Sequence, residues 1–180
     1  MKPIVVVVVL VVLSLSFSAF AQDQKTPATL RSTLLDQLRT THNQKDWFVD
    51  ANTAVAGLTP EQASWTDGHG NHSVGQLAYH IIYWDERNLA KFKGETPAKF
   101  SGNNDDTFNG YDSKKWPETV RQLDEVLTQW EKAVESADDK KLAEWAPIVS
   151  RIATHNAYHI GEIVMVRKEQ GSWDASKGVN

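Results

Sequence analysis

Arg151-Ile-Ala-Thr-His155-Asn-Ala-Tyr-His159-Ile-Gly-Glu162-Ile-Val-Met-Val-Arg167 places two histidines four residues apart in a stretch of helical apolar spacing. On a helix that spacing stacks both imidazoles on one face, where each can offer a neutral ring nitrogen to the same point. Two ligands do not complete a metal site. The best third candidate is His80, in the apolar stretch Ser73-Val-Gly-Gln76-Leu-Ala-Tyr-His80-Ile-Ile-Tyr-Trp84. Two such stretches facing one another predict a helical bundle with one metal held between two of its helices.

The rest of the chain supports helices throughout. Leu30, Leu34, Leu38, His42, Phe48, Ala51 and Val55 predict one long amphipathic helix over 28–56, ended by Gly57. Thr59-Pro60-Glu61-Gln62 reads as a capping box opening a short helical turn, and Ser73 with Gln76 repeats that signal before the second long helix. Val74, Leu77, His80, Ile81, Trp84 and Leu89 mark its inward face, with Gly94 and Pro97 at its end. Residues 99–111, rich in Gly, Asn, Asp and Ser, read as a loop over one end of the bundle, a common place for the rim of a site. Trp116 to Val134 is periodic and forms the third helix, with Pro117 tolerated in the first turn. Residues 136–145 read as a short connector with room for one helical turn, and Pro147 as the opening of a fourth helix that runs to Gln170 and stops at Gly171. No mature stretch alternates with a period of two, so the fold class is all-α, four long helices in a bundle.

The N-terminus stands apart. Lys2, the apolar run Ile4 to Leu15 and the small residues Ala19 and Ala21 read as a signal peptide over residues 1–21, leaving a single domain over 22–180. The expectation is an exported protein, periplasmic or extracellular, with no membrane attachment after cleavage; retention as an uncleaved anchor is the alternative. The formal charge is −4, and loss of Lys2 with the leader makes it one unit more negative. Such acidity argues against a nucleic-acid partner. With no cysteine, disulfides, thiolate ligands and thiol nucleophiles are excluded. Histidine, carboxylate and hydroxyl groups must carry any chemistry.

Spacing alone leaves two readings of the histidines: ligands of a metal, or core side chains paired with carbonyls or carboxylates. Three imidazoles on inward stripes favour the first, because buried unpaired rings are costly and coordination requires their neutral form. His69 and His72, in or beside the loop before the second helix, fit solvated or capping roles. His42 lies near an inward stripe and could line the site, although the core reading is favoured. Glu162, three residues after His159, could orient a ligand or be solvated, and is the weak candidate for a catalytic base. The internal glutamate of His-Glu-x-x-His is absent, which counts against a peptidase, and no phosphate loop, dinucleotide fingerprint or nucleophile elbow is present.

Ser73-Val-Gly-Gln-Leu-Ala-Tyr-His80 with Trp84, followed by His155-Asn-Ala-Tyr-His159-Ile-Gly161-Glu162-Ile163 with Arg167 and Gly171, resembles the paired motifs of the DinB-like family. The similarity extends to Leu58-Thr-Pro-Glu-Gln-Ala before Trp65. The resemblance implies an up-down-down-up four-helix bundle with short extra turns. It also implies a divalent metal on His80, His155 and His159, with coordination positions open to water or substrate. Zinc is the first expectation, with nickel, iron or manganese as alternatives. Some members of that family are transferases or isomerases that use cytosolic thiol cosubstrates, and the export signal sets this chain apart from them. Two functions remain: a metal-dependent hydrolase or transferase acting on a small molecule, or a non-catalytic metal- or ligand-binding bundle of the cell envelope. Homodimerisation through a helix face fits a bundle of this size.

Overall fold

The computed structural model describes residues 27–178, so the expected signal peptide lies outside the described residues. Six α-helices follow in order: α1 Leu30–His42, α2 Ala51–Val55, α3 Pro60–Ser64, α4 Val74–Lys93, α5 Trp116–Ser136 and α6 Asp139–Glu169. No strand occurs among the described residues, and four helices are long, as an all-α bundle requires. None of the described helices is long and apolar enough to cross a membrane.

The relative directions of the long helices follow from their side-chain contacts. Arg31 at the start of α1 donates to the Val134 and Glu135 carbonyls at the end of α5, while His42 at the end of α1 reaches Asp124. Those two helices are therefore antiparallel. Trp130 of α5 donates its indole N–H to the Asp85 carbonyl of α4, and Lys93 near the end of α4 reaches Gln129, with Tyr79 at the level of Thr119. These two run parallel. His80 meets His159 and Phe92 meets Trp145, so α4 and α6 are antiparallel. The result is up-down-down-up, and the 94–115 segment must cross the length of the bundle to join two parallel helices.

Both capping boxes expected from the sequence form. Ser73 Oγ accepts from the Gln76 N–H while Gln76 Oε1 accepts from the Ser73 N–H, and Thr59 with Gln62 does the same. Gly94 ends α4 at φ 85°, a left-handed conformation that costs glycine nothing. One apolar core joins the long helices around Leu38, Ile81, Leu123, Trp130 and Ile163, all with 2 % exposure or less.

Two expectations are corrected. The helix expected over 28–56 is two helices: the amides of Asn43 and Gln44 both close on the Arg39 carbonyl, and Asp50 restarts the chain by accepting from the Thr53 N–H at 2.8 Å. A capping carboxylate and a run of polar residues thus compete successfully with helix continuation. Phe48, in the break, is 39 % exposed, and Leu30 is 46 % exposed, so neither belongs to the inward face. At the other end, the expected 136–145 connector shrinks to Ala137 and Asp138, and the rest of it is helical. Asp138 caps α6 at the Lys141 N–H, and Pro147 lies inside the helix rather than opening it. The proline removes the bond to the Ala143 carbonyl, a defect worth roughly 3 kcal/mol in an isolated helix. Burial of Leu142 and Val149 on either side, and Trp145 against Phe92, offsets it.

The crossover docks on α4 through glycines. A Cβ at Gly75 would run into the Tyr111 ring, and a Cβ at Gly110 into the Tyr79 phenol. This close approach brings residues 104–108 against the middle of α4.

Candidate metal centre

The three histidines singled out in the sequence come together where α4 and α6 cross. His80 Nε2 lies 3.2 Å from His155 Nε2, which lies 3.1 Å from His159 Nε2. His80 and His159 are buried, at 2 % and 7 % exposure, and His155 is half-buried facing a cavity.

What the other ring nitrogens do fixes the protons. Thr107 Oγ1 donates to the Asn104 carbonyl at 2.6 Å, which spends its only proton. Its 2.6 Å contact with His80 Nδ1 therefore requires the imidazole to donate. His159 Nδ1 donates to Glu162 Oε2 at 2.6 Å. His155 Nδ1 makes a longer contact, 3.4 Å, with Asn156 Oδ1, and the Asn156 amide donates to Asp85 Oδ2 at 2.8 Å. With each Nδ1 protonated, three neutral rings turn bare Nε2 lone pairs toward one point. Lone pairs so placed repel unless a cation lies between them. Three nitrogens about 2.0–2.1 Å from a tetrahedral ion stand roughly 3.3 Å apart, and the observed spacings of 3.1 and 3.2 Å fit such an ion.

Electrostatics favour the same state. Burial, reinforced by the neighbouring His159, His155 and His72, pushes the His80 imidazole down to about 3. Burial also lowers His155, with His159 adding to the effect. Charging these rings inside the bundle is costly, so they stay neutral and available as ligands. Complete burial pushes the Asp85 carboxyl up to about 8, against the opposing hydrogen bond from Asn156. At neutral pH it is predominantly protonated.

Two supporting groups escaped the sequence reading. Phe108 stacks on His80 at 3.9 Å between ring centres, and His72 stacks on the far side of Phe108 at 3.8 Å, both within 4° of parallel. His72 thus supports His80 through an aromatic layer. Thr107 and Phe108 lie in an aperiodic loop, and only the expectation that this loop rims the site pointed toward them. Glu162 accepts from His159 and so orients it, one of the three roles its spacing suggested. His42 lies elsewhere, bridging Glu131 and Asp124 of α5 at 2.5 and 2.9 Å, as a core histidine would. His69 is exposed in its loop.

Removing the Thr107 hydroxyl tests the orientation argument. Thr107→Val leaves His80 Nδ1–H without an acceptor and frees the ring to take the other tautomer. Loss of such a supporting bond weakens metal affinity about 10–100-fold. Competition with a chromogenic chelator reads this directly, and an unchanged affinity would show that packing against Phe108 suffices.

A cavity of about 480 Å³ opens beside the three Nε2 atoms, with walls from Trp84, Ile148, Ile152 and Tyr158. Its volume falls in the range of small-molecule pockets, ~300–1,000 Å³. Fold and site together define a helical bundle with a three-histidine group able to hold a metal ion beside a ligand-sized cavity. The chain belongs to the DinB superfamily, which its sequence matches over residues 49–163, a span that includes all three histidines. No curated protein and no solved structure matches it.

Proposed function

We propose that this chain is a metal-dependent enzyme of hydrolase or transferase type, with a divalent ion, zinc first, on His80, His155 and His159. The observation that carries the proposal is the proton inventory of the three rings: every Nδ1 has an acceptor, so every Nε2 faces the cavity edge as a free donor atom. Three nitrogen ligands are the set used by catalytic zinc sites, whereas structural sites close with four protein ligands. A bound ion supplies Lewis-acid polarisation to an oxygen or carbonyl group presented from the cavity.

The chain's own residues supply the rest. Thr107, Glu162 and Asn156 hold the rings in orientation, and the apolar walls limit water around a bound substrate. Asp85, mostly protonated at neutral pH, lines the cavity without placing a full negative charge there. Glu162 is engaged by His159, which makes it a positioning residue in this arrangement.

Elemental analysis of untagged protein and of His155→Ala, run beside a hydrolase and transferase screen, tests the reading. The expected result is about one divalent ion per chain in the wild type, with metal and activity lost together in the variant. A variant that loses its metal and keeps full activity refutes the enzyme proposal. A metal-loaded wild type silent across the screen favours a binding role instead.

A further inference from the structure

Among residues lining the cavity beside the histidines, only Arg151 and Asp85 carry acid or base groups other than His and Tyr. Arg151 is exposed at the cavity and makes no ion pair among the described residues. It precedes His155 by one helical turn, so both side chains rise from the same face of α6, about 5–6 Å apart at Cβ. In an acidic protein, a guanidinium left without a carboxylate beside apolar walls is a placed positive charge.

We propose that this cavity binds a small carboxylate with an apolar body, its carboxylate on Arg151 and its apolar part against Trp84, Ile148 and Ile152. The opposite end of such a ligand faces the three Nε2 atoms. Presentation of a reacting group there rests on the enzyme reading above; recognition of the acid does not. A carboxylate fits better than a phosphate ester because one planar guanidinium matches two carboxylate oxygens and one negative charge. No lysine or second arginine lines the cavity, so a dianion held at Arg151 would stay half-compensated against apolar side chains. Trp84 is anchored by its indole N–H to Asn104 Oδ1 at 3.3 Å, and Asn88 donates to the Trp84 carbonyl, so that wall is built rather than incidental.

The test is calorimetric titration of the full chain with 3-phenylpropionate, its neutral amide and phenyl phosphate, before and after removal of metal by chelation. The acid is expected to bind roughly tenfold more tightly than the amide, with or without metal. Arg151→Ala, a change at an exposed position, should abolish that preference while leaving thermal stability unchanged. Acid and amide of equal affinity, a preference that survives Arg151→Ala, tighter phenyl phosphate binding, or no acid binding at millimolar concentration would each overturn it. Metal content measured on the same samples separates this result from the enzyme reading. Loss of the acid preference in a metal-loaded protein sinks only the carboxylate, and acid binding by a chain that holds no metal as purified and takes up none when it is added sinks only the metal chemistry.

Discussion

Arg167→Ala is expected to lower thermal stability by about 6–12 °C. Arg167 is 3 % exposed near the end of α6. One guanidinium nitrogen donates to the Ala54 and Ala56 carbonyls at 2.6 and 3.1 Å, and another to the Ser172 carbonyl at 3.0 Å, with the Trp173 ring 5.1 Å away. The side chain thus ties the open end of α2 and the C-terminal segment to the last long helix. Truncation leaves three carbonyls without that donor, and hydrogen bonds to charged groups are worth roughly 1.5–3 kcal/mol each, with incomplete additivity. A loss of about 3 kcal/mol corresponds to that shift in a domain of this size, at about 2–4 °C per kcal/mol. Arg167→Lys should recover only part of it, because one ammonium cannot reach carbonyls on two sides. Calorimetry of the three proteins checks this, and a shift under 2 °C for Arg167→Ala would mean that the α2 junction is held by its apolar contacts.

This residue also shows what the sequence can and cannot carry. Arg167 and Gly171 stand out as the end of a motif, yet nothing in their spacing reveals that the arginine reaches back across the chain to residue 54. Gly75 is similar: it reads as one letter of Ser-Val-Gly-Gln, while its physical reason is the Tyr111 ring lying where a Cβ would be. Local signals were legible where a local cause fixes the structure. Ser73 with Gln76, Thr59 with Gln62 and Gly94 each set a helix end through bonds within a few residues. The first helix misled because Leu34, Leu38, Ala51 and Val55 keep inward positions on both sides of the 43–50 break, so the periodicity bridges a gap that the backbone does not. Pro147 misled for the opposite reason, since a strong local breaker is outweighed by packing of Leu142 and Val149. The histidine pair was legible because the helix repeat itself brings residues four apart together. Thr107 and Phe108 were not, because their contacts with His80 depend on the path of the crossover.

Metal binding and folding should be coupled through those same contacts. Zinc added to chelator-stripped protein is expected to raise the melting temperature by about 8–16 °C. Ligand that binds only the folded state at a thousand times its dissociation constant stabilises by about 4 kcal/mol, at about 2–4 °C per kcal/mol. The increment should vanish in His159→Ala, although the bundle itself should still form, since the core around Trp130 and Leu123 lies on contacts the ring does not make. The apo protein should weaken in acid through one of the same rings. Depression of His80 to about 3 means that the unfolded chain binds the extra proton between that value and about 6.5. This contribution is therefore fully present above about pH 6.5 and lost as pH falls toward 3. The two effects separate because only the first depends on added zinc. Melting curves at pH 5 and pH 7.5, with and without the ion, should show a lower apo melting temperature at pH 5 and a zinc increment that vanishes in His159→Ala. An increment that persists in His159→Ala would place the ion on carboxylates elsewhere on the surface and remove the three-histidine centre as its site.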